Sequence, residues 1–300
     1  MINYDPHHWM DHFFDIKGSM VREILGRVAI CFVWSILVVT AHKFGWKVAI
    51  PSTMHTLVGL ALGLLLVFRT NASYDRYWEG RKLWGGIVNE CRNVVRAASQ
   101  FLHGDVELLR RLAVWTAAFP YATMNHLRGK NDLGEAVAHL PVAEARDAVE
   151  AEHTPMAVSL RMSECLSEGR KRGYFSEYTQ MAIDQNVQLL VDYLGGCERI
   201  RKTPLPFAYV VHLRRALVIY CFTLPFALVE ANGWSTIVDT LFLSYIFFGI
   251  EEIGVEIEGP FGYDDNDLPL EQICNTIRHN VLAMVGSSME EAEPPMSGAL

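Results

Sequence analysis

Four apolar stretches stand out along the chain, two near each end. Val28 to Ala41 carries no charge, and apolar character runs back through Leu25 and Ile24 past Arg27. Pro51 to Phe68 contains no Asp, Glu, Lys or Arg. Ala216 to Val229 is uncharged and extends back to Pro206 if His212, Arg214 and Arg215 are tolerated, and Trp234 to Ile250 holds a single charge, Asp239. A membrane-spanning helix needs roughly 20 mostly apolar residues. Only the second stretch approaches that length free of charge, so each is also compatible with a buried core helix. Their pairing favours four crossings.

Between the pairs, from Arg69 to Lys202, the chain is dense in charge but keeps helix-period pieces at Leu108 to His126 and Tyr178 to Leu194. Gly129–Asp132 and His153–Pro155 read as breaks. Alternating β-branched runs are scarce, so the whole chain reads as all-α: four transmembrane helices and a large cytosolic helical region. The division expected is 1–68 with the first two spans (pore helix 51–68), 69–203 cytosolic, 204–258 with spans three and four, and 259–300 cytosolic, mobile from Ser287. Arg69, Arg76, Arg81 and Lys82 follow the second span, and Arg199, Arg201 and Lys202 precede the third. His42, Lys43 and Lys47 oppose them but are outnumbered, which places the middle segment and both termini in the cytoplasm.

Composition agrees with this mixture. Hydrophobic residues make up 51% of the 300, and mean hydropathy is +0.15, high for a soluble domain and low for a pure membrane bundle. A net charge of −8 argues against a nucleic-acid partner, because phosphate binding needs clustered Lys and Arg. The six cysteines are scattered without C-x-x-C spacing, which suggests free buried thiols. The segment Met1 to Ile16 does not have the form of a cleaved signal peptide.

The second span presents Leu57, Leu60, Leu64 and Phe68 on one helical face. Gly59 and Gly63 form a G-x-x-x-G on an adjacent face, suited to close approach of another helix. In a ring of identical helices the bulky stripe could line a pore and gate it by dewetting; it could equally face lipid or core. Straight after it, Phe68 to Arg81 mixes charge, amide and aromatic side chains, and reads as a salt-bridged turn at a membrane exit.

The stretch FRTNASYDRYWEGRKLWG, Phe68 to Gly85, resembles the segment after the pore helix of bacterial bestrophins. Gly195 to Tyr209 (GGCERIRKTPLPFAY) resembles that family's entry into the third span. Gly259-Pro260-Phe261-Gly262 with Asn266-Asp267-Leu268-Pro269-Leu270 resembles the loop after the fourth. Order and spacing agree from about residue 5 to 285. The resemblance implies a homo-oligomeric ion channel, a pentamer in the bacterial inner membrane, in contact with lipid and passing monovalent ions. It places Leu60, Leu64 and Phe68 at a narrow neck, and Tyr178 at a cytosolic aperture where bacterial members often carry an aliphatic residue. A core tyrosine in the cytosolic bundle is the alternative there.

No cofactor is certain. The loop Asp264-Asp265-Asn266-Asp267 offers hard oxygen ligands for Ca²⁺ or another divalent cation. Animal bestrophins bind Ca²⁺ just after the same Pro-Phe-Gly, and Asp264 and Asp267 match acidic ligands there. Glu256 and Gly259 stand where animal members have amide side chains, and a solvated acidic loop is favoured. Glu251, Glu252, Glu256 and Glu258, with Glu177, suggest a negative vestibule and hence cations, unless they pair with Arg214, Arg215 or Arg69. Bacterial relatives include cation conductors, whereas animal members pass anions, so an anion channel is the alternative. A membrane-embedded enzyme has only His55, His212 and Asp239 in or near spans to recommend it, none at metal-ligand spacing. A scaffold using the cytosolic helices is a third reading.

Overall fold

The computed structural model describes residues 18–292, except for the side chains of Val137 and of residues 287–292. The segment before Gly18 and residues 293–300, with most of the tail beyond Ser287, lie outside it. Among the described residues all regular secondary structure is helical. The helices are α1 (Val21–Lys43), α2 (Ser52–Ser99), α3 (Val106–Leu127), α4 (Val142–Glu150), α5 (Thr154–Lys171), α6 (Glu177–Lys202), α7 (Phe207–Asn232), α8 (Thr236–Glu256) and α9 (Leu270–Ala292). The last helix carries past Ser287, where a mobile tail was expected.

The chain divides into two compact units, Met1–Trp78 with Thr203–Asp267, and Glu79–Lys202 with Leu268–Leu300. The 48-residue α2 contributes to both. At 1.5 Å per residue it is about 72 Å long, so the expected turn after Phe68 is absent. Proline is missing from the whole of Ser52–Ser99, and Thr70 Oγ1 donates back to the Leu66 carbonyl one turn earlier. Gly85-Gly86, the weakest point for helix propensity, survives because Gly86 serves packing: a Cβ there would sit 2.5 Å from the Tyr193 ring.

In the first unit α1, the start of α2, α7 and α8 pack around Ile24, Val28, Cys31, Leu62, Leu66, Leu213, Leu217, Cys221 and Phe248. Trp34 Nε1 donates to the Phe222 carbonyl at 2.9 Å, joining α1 to α7. The outer faces stay apolar, with Leu25, Ile30, Val33 and Leu37 of α1 and Val238, Phe242 and Tyr245 of α8 exposed. A protein apolar both inside and out suits a lipid environment. Among the described residues, three helical stretches are long and apolar enough to cross a membrane: Val21–Lys43, Ser52–Ser99 and Phe207–Glu256. The third is a hairpin of α7 and α8, reversed at Gly233, whose φ of 55° is open to glycine without strain.

The second unit is built around α3, which is buried on nearly all sides. Its start is capped by Asp105, whose carboxylate accepts the Leu108 amide at 3.1 Å, and Gly129 follows its end with φ 74°. Pro120 cannot donate to the Thr116 carbonyl, and the Cys91 thiol takes that place at 3.8 Å. Burial pushes the Cys91 pKa up, so it remains a thiol able to donate. Along α9, Leu270, Cys274, Ile277, Val281 and Val285 form the buried stripe. Asn275 accepts from the Tyr121 hydroxyl, and Glu271 pairs with Arg128 beside the end of α3.

Candidate functional site

Helix α2 has two contrasting sides within the first unit. Leu62 and Leu66 are 2% and 1% exposed and pack with α1 and α7. Leu60, Leu64 and Phe68 are 76%, 55% and 56% exposed. Each buried leucine lies two positions, about 200°, from a member of the stripe, so the stripe sits opposite the core. One chain therefore leaves a row of bulky apolar side chains uncovered on a helix that is otherwise firmly packed. The two glycines differ: a Cβ on Gly59 would come 2.7 Å from the Tyr220 hydroxyl of α7, whereas one on Gly63 would meet nothing within 4 Å. Gly59 thus serves packing within the chain, and Gly63 lies open for something outside it.

Below this helix segment, charged residues tie the first unit together. Arg69 is 1% exposed and its Nη2 lies 2.9 Å from Glu258 Oε2. Glu258 Oε1 accepts the Leu205 amide at 2.9 Å, and its backbone carbonyl accepts from Arg76 Nε at 3.1 Å. Glu258 therefore links α2, the entry to α7 and the chain after α8. The pairing with Arg69 was among those the sequence allowed, whereas spacing gave no signal of the links to Arg76 and Leu205.

The other acidic groups at the end of α8 are engaged as well. Glu251, buried, accepts from Arg214 Nε at 2.7 Å and lies 3.6 Å from Arg27 Nη1. Glu252 is 2.7 Å from Arg27. Glu256 accepts from Asn266 Nδ2 at 2.9 Å, and Glu177 is 3.4 Å from Arg170. The negative vestibule drawn from these side chains loses most of its charge to such pairs, as the rival reading of the sequence allowed.

Asp264 and Asp267 have different surroundings. Asp267 is buried, and its Oδ2 accepts the Asp264 amide at 2.8 Å, closing the loop on itself. Asp264 lines a cavity of about 800 Å³ with Gly18, Glu23, Glu252, Glu256 and Asp265 among others. The donors are hard oxygens, as a calcium ion requires, but of the pair only Asp264 borders that space. Tyr178 sits in the first turn of α6 and is 85% exposed, which excludes a core tyrosine within this chain. Its hydroxyl and ring are free to meet a neighbouring molecule. Of the residues that an embedded enzyme would use, His55 Nε2 lies 2.8 Å from Thr223 Oγ1 and Asp239 accepts from Asn232 at 2.7 Å. They are engaged separately.

Residues 1–283 match the family model for bacterial and fungal bestrophin proteins. A voltage-dependent anion channel-forming protein of Synechocystis is 40% identical over 283 residues, covering 92% of this chain and 91% of that protein. One from Nostoc is 39% identical over 278 residues, covering 91% of each. A crystal structure of a bacterial bestrophin homolog from Klebsiella pneumoniae superposes with a TM-score of 0.83 at 31% identity, over 88% of this chain and 99% of that one.

Proposed function

Because the chain belongs to the bestrophin family and is a membrane ion channel, we propose that five copies surround one pore and conduct monovalent anions. The observation that carries the reading is the uncovered stripe Leu60, Leu64 and Phe68, opposite the packed face of α2. Water offers no reason to leave these side chains bare, and a ring of copies would turn them towards an axis. In this reading α1, the first part of α2, α7 and α8 cross the bacterial inner membrane, with both termini in the cytoplasm. The stripe forms an apolar neck that an ion passes only when the constriction is wetted. Tyr178 forms a second ring at the cytosolic mouth, where its hydroxyl can replace one water of a passing ion's shell.

Two considerations favour anions over the cations suggested by net charge. Glu252, Glu251, Glu258 and Glu177 among the acidic groups behind that suggestion are held by Arg27, Arg214, Arg69 and Arg170, and several relatives are themselves named for anion channels. The neck carries no charge, so selection rests on hydration and size. The test is a bi-ionic reversal potential on purified protein in planar bilayers. A reversal potential near the chloride equilibrium value supports the reading, and one at the sodium value replaces it with a cation channel of the same architecture. Replacing Leu60, Leu64 and Phe68 together by Ala is expected to widen the neck and raise flux; unchanged flux in an assembled triple variant would remove them from the pore.

A divalent cation would be held in the acidic cavity by Asp264 with Glu256 and Asp265, and Asp267 would support the loop. It would supply only electrostatic cross-linking. Calorimetry with Ca²⁺ is expected to show heat that Asp264→Ala abolishes. Equal heats from the native protein and the Asp264→Ala, Asp267→Ala pair would leave a solvated turn.

A further inference from the structure

In the second unit three metal-ligating side chains from three helices converge at a place unrelated to the features above. His126 lies in the last turn of α3, His153 is the N-cap residue of α5, and Glu198 lies near the end of α6. His126 Nε2 is 2.7 Å and His153 Nε2 is 2.9 Å from the same oxygen, Glu198 Oε1. The two imidazole rings stack with centroids 4.3 Å apart. One ligand atom from each of the three lies within 4.8 Å of the others. We propose that His126, His153 and Glu198 form a binding site for a divalent ion of borderline softness, zinc above all.

The donor set is the first argument. Two imidazoles and one carboxylate form a ligand combination that zinc uses in open sites, with water in the remaining position, at bond lengths of about 2.0–2.2 Å. Magnesium and calcium prefer all-oxygen shells. The side chains of His126, His153 and Glu198 are 20%, 34% and 19% exposed, so the cluster is set into the surface with one side open to solvent. An ion can enter there and keep a water.

Distance is the second argument. Tetrahedral bonds of about 2.05 Å place ligand atoms about 3.3 Å apart. The present Nε2–Oε1 separations of 2.7 and 2.9 Å need to open by about half an ångström, which a small turn of the Glu198 side chain supplies. Without metal, each imidazole donates a proton to Oε1. With metal, that proton moves to Nδ1 and frees the Nε2 lone pair. For His153 this gives up only a long contact, 3.4 Å, in which Nδ1 accepts the Met156 amide.

The surroundings set the strength. Lys202 Nζ is 3.4 Å from Glu198 Oε2, and Arg201 Nη1 donates to the His126 carbonyl. Lys202 occupies the second carboxylate oxygen and keeps Glu198 monodentate, and both positive charges oppose an incoming cation. The site therefore suits reversible binding rather than a permanent structural ion. An occupied site would clamp the ends of α3 and α6 to the start of α5.

The test uses the full-length protein purified in detergent and freed of metal. Zn²⁺ is titrated calorimetrically, and Co²⁺ serves as a visible-absorption probe of nitrogen–oxygen coordination. The six cysteines are buried, so their thiols compete little for the titrated ion. The native protein should bind Zn²⁺, give a Co²⁺ spectrum that Zn²⁺ displaces, and respond to neither Mg²⁺ nor Ca²⁺ at this site. Glu198→Gln keeps a hydrogen-bond acceptor for both histidines but loses the anionic ligand, and should weaken Zn²⁺ at least tenfold while the metal-free melting temperature stays near native. His153→Gln provides a second variant with the same expectation. A His126→Gln, His153→Gln double variant that keeps native Zn²⁺ affinity and the Co²⁺ spectrum overturns the proposal, as does a native protein with no Zn²⁺ heat.

Discussion

Leu64 and Leu66 are two residues apart on α2, and replacing each by Ala separates packing from permeation. Leu66 is 1% exposed and packs with α1 and α7. Truncating a fully buried leucine costs about 2–5 kcal/mol, from lost contacts and the cavity left behind. Leu64 is 55% exposed in the single chain and lies outside that core. Its truncation should cost the subunit no more than about 0.5 kcal/mol, as for surface positions away from special features. In an assembled ring, however, Leu64→Ala replaces an isobutyl side chain by a methyl in every copy at one level of the proposed neck, so the constriction should widen and wet more easily. Thermal unfolding in detergent and single-channel recording are made on the same preparations. Leu66→Ala should melt earlier with near-native unitary conductance in the channels that survive. Leu64→Ala should melt like the native protein and conduct more. If Leu64→Ala lost as much stability as Leu66→Ala and conductance were unchanged, the stripe would be an ordinary packing surface.

Tyr178→Ala should leave the melting temperature within error, because the ring is exposed and leaves no cavity, while raising conductance; Tyr178→Phe should lower flux, and unaltered permeation in both variants would take Tyr178 out of the pore. Gly63→Leu should disrupt assembly by overpacking a neighbouring subunit, at about 1–3 kcal/mol per contact, and a normal oligomer on size exclusion would mean that Gly63 faces lipid. The hydrogen bond from Arg128 holds Glu271 below the usual carboxylate range. A depressed folded pKa contributes stability that is present above the unfolded value near 4.3 and is lost as pH falls through the folded one. Melting curves from neutral to acid pH should therefore show a small loss that Glu271→Gln removes. Because Glu271 is half exposed, the loss should stay below about 1 kcal/mol, and identical acid sensitivity in the variant would refute the assignment.

Periodicity within one helix was readable from the chain. The Leu60–Leu64–Phe68 stripe needed only the 3.6-residue repeat, and the end of α3 and the start of α5 followed from Gly129 and His153-Thr154-Pro155, residues that punctuate helices locally. Continuity was harder. Tyr and Trp beside Asp75, Arg76 and Glu79 looked like an interface turn, yet those residue types are also fair helix formers, and no proline interrupts them. The fate of each glycine depended on partners distant in sequence: Gly59 meets Tyr220 and Gly86 meets Tyr193, whereas Gly63 meets nothing. The same limit hid the histidine pair. His126, His153 and Glu198 share no local spacing, and only the packing of three helices brings them to one oxygen.

Charge shows most clearly why a residue count is a poor guide to a pore. The cluster Glu251, Glu252, Glu256 and Glu258 looks like a source of negative field as long as its members are treated as free. Arg27 sits nearly two turns into α1, where the sequence offers it only as an interruption in an apolar run. The fold brings it to 2.7 Å from Glu252 and 3.6 Å from Glu251. Arg214, counted as a blemish in the third span, takes the other oxygen of Glu251 at 2.7 Å. Two arginines thus oppose two carboxylates at contact distance, and beyond a Debye length of about 8–10 Å such pairs present little net charge. The price of burying Glu251 is met by these partners, and removing one leaves an uncompensated charge, which is costly in a low-dielectric setting. The arginines therefore belong to the packing of α1, α7 and α8 as much as to the electrostatics. An ion at the axis of a ring would feel chiefly the unpaired groups and the backbone dipoles around it, which the total of −8 does not describe.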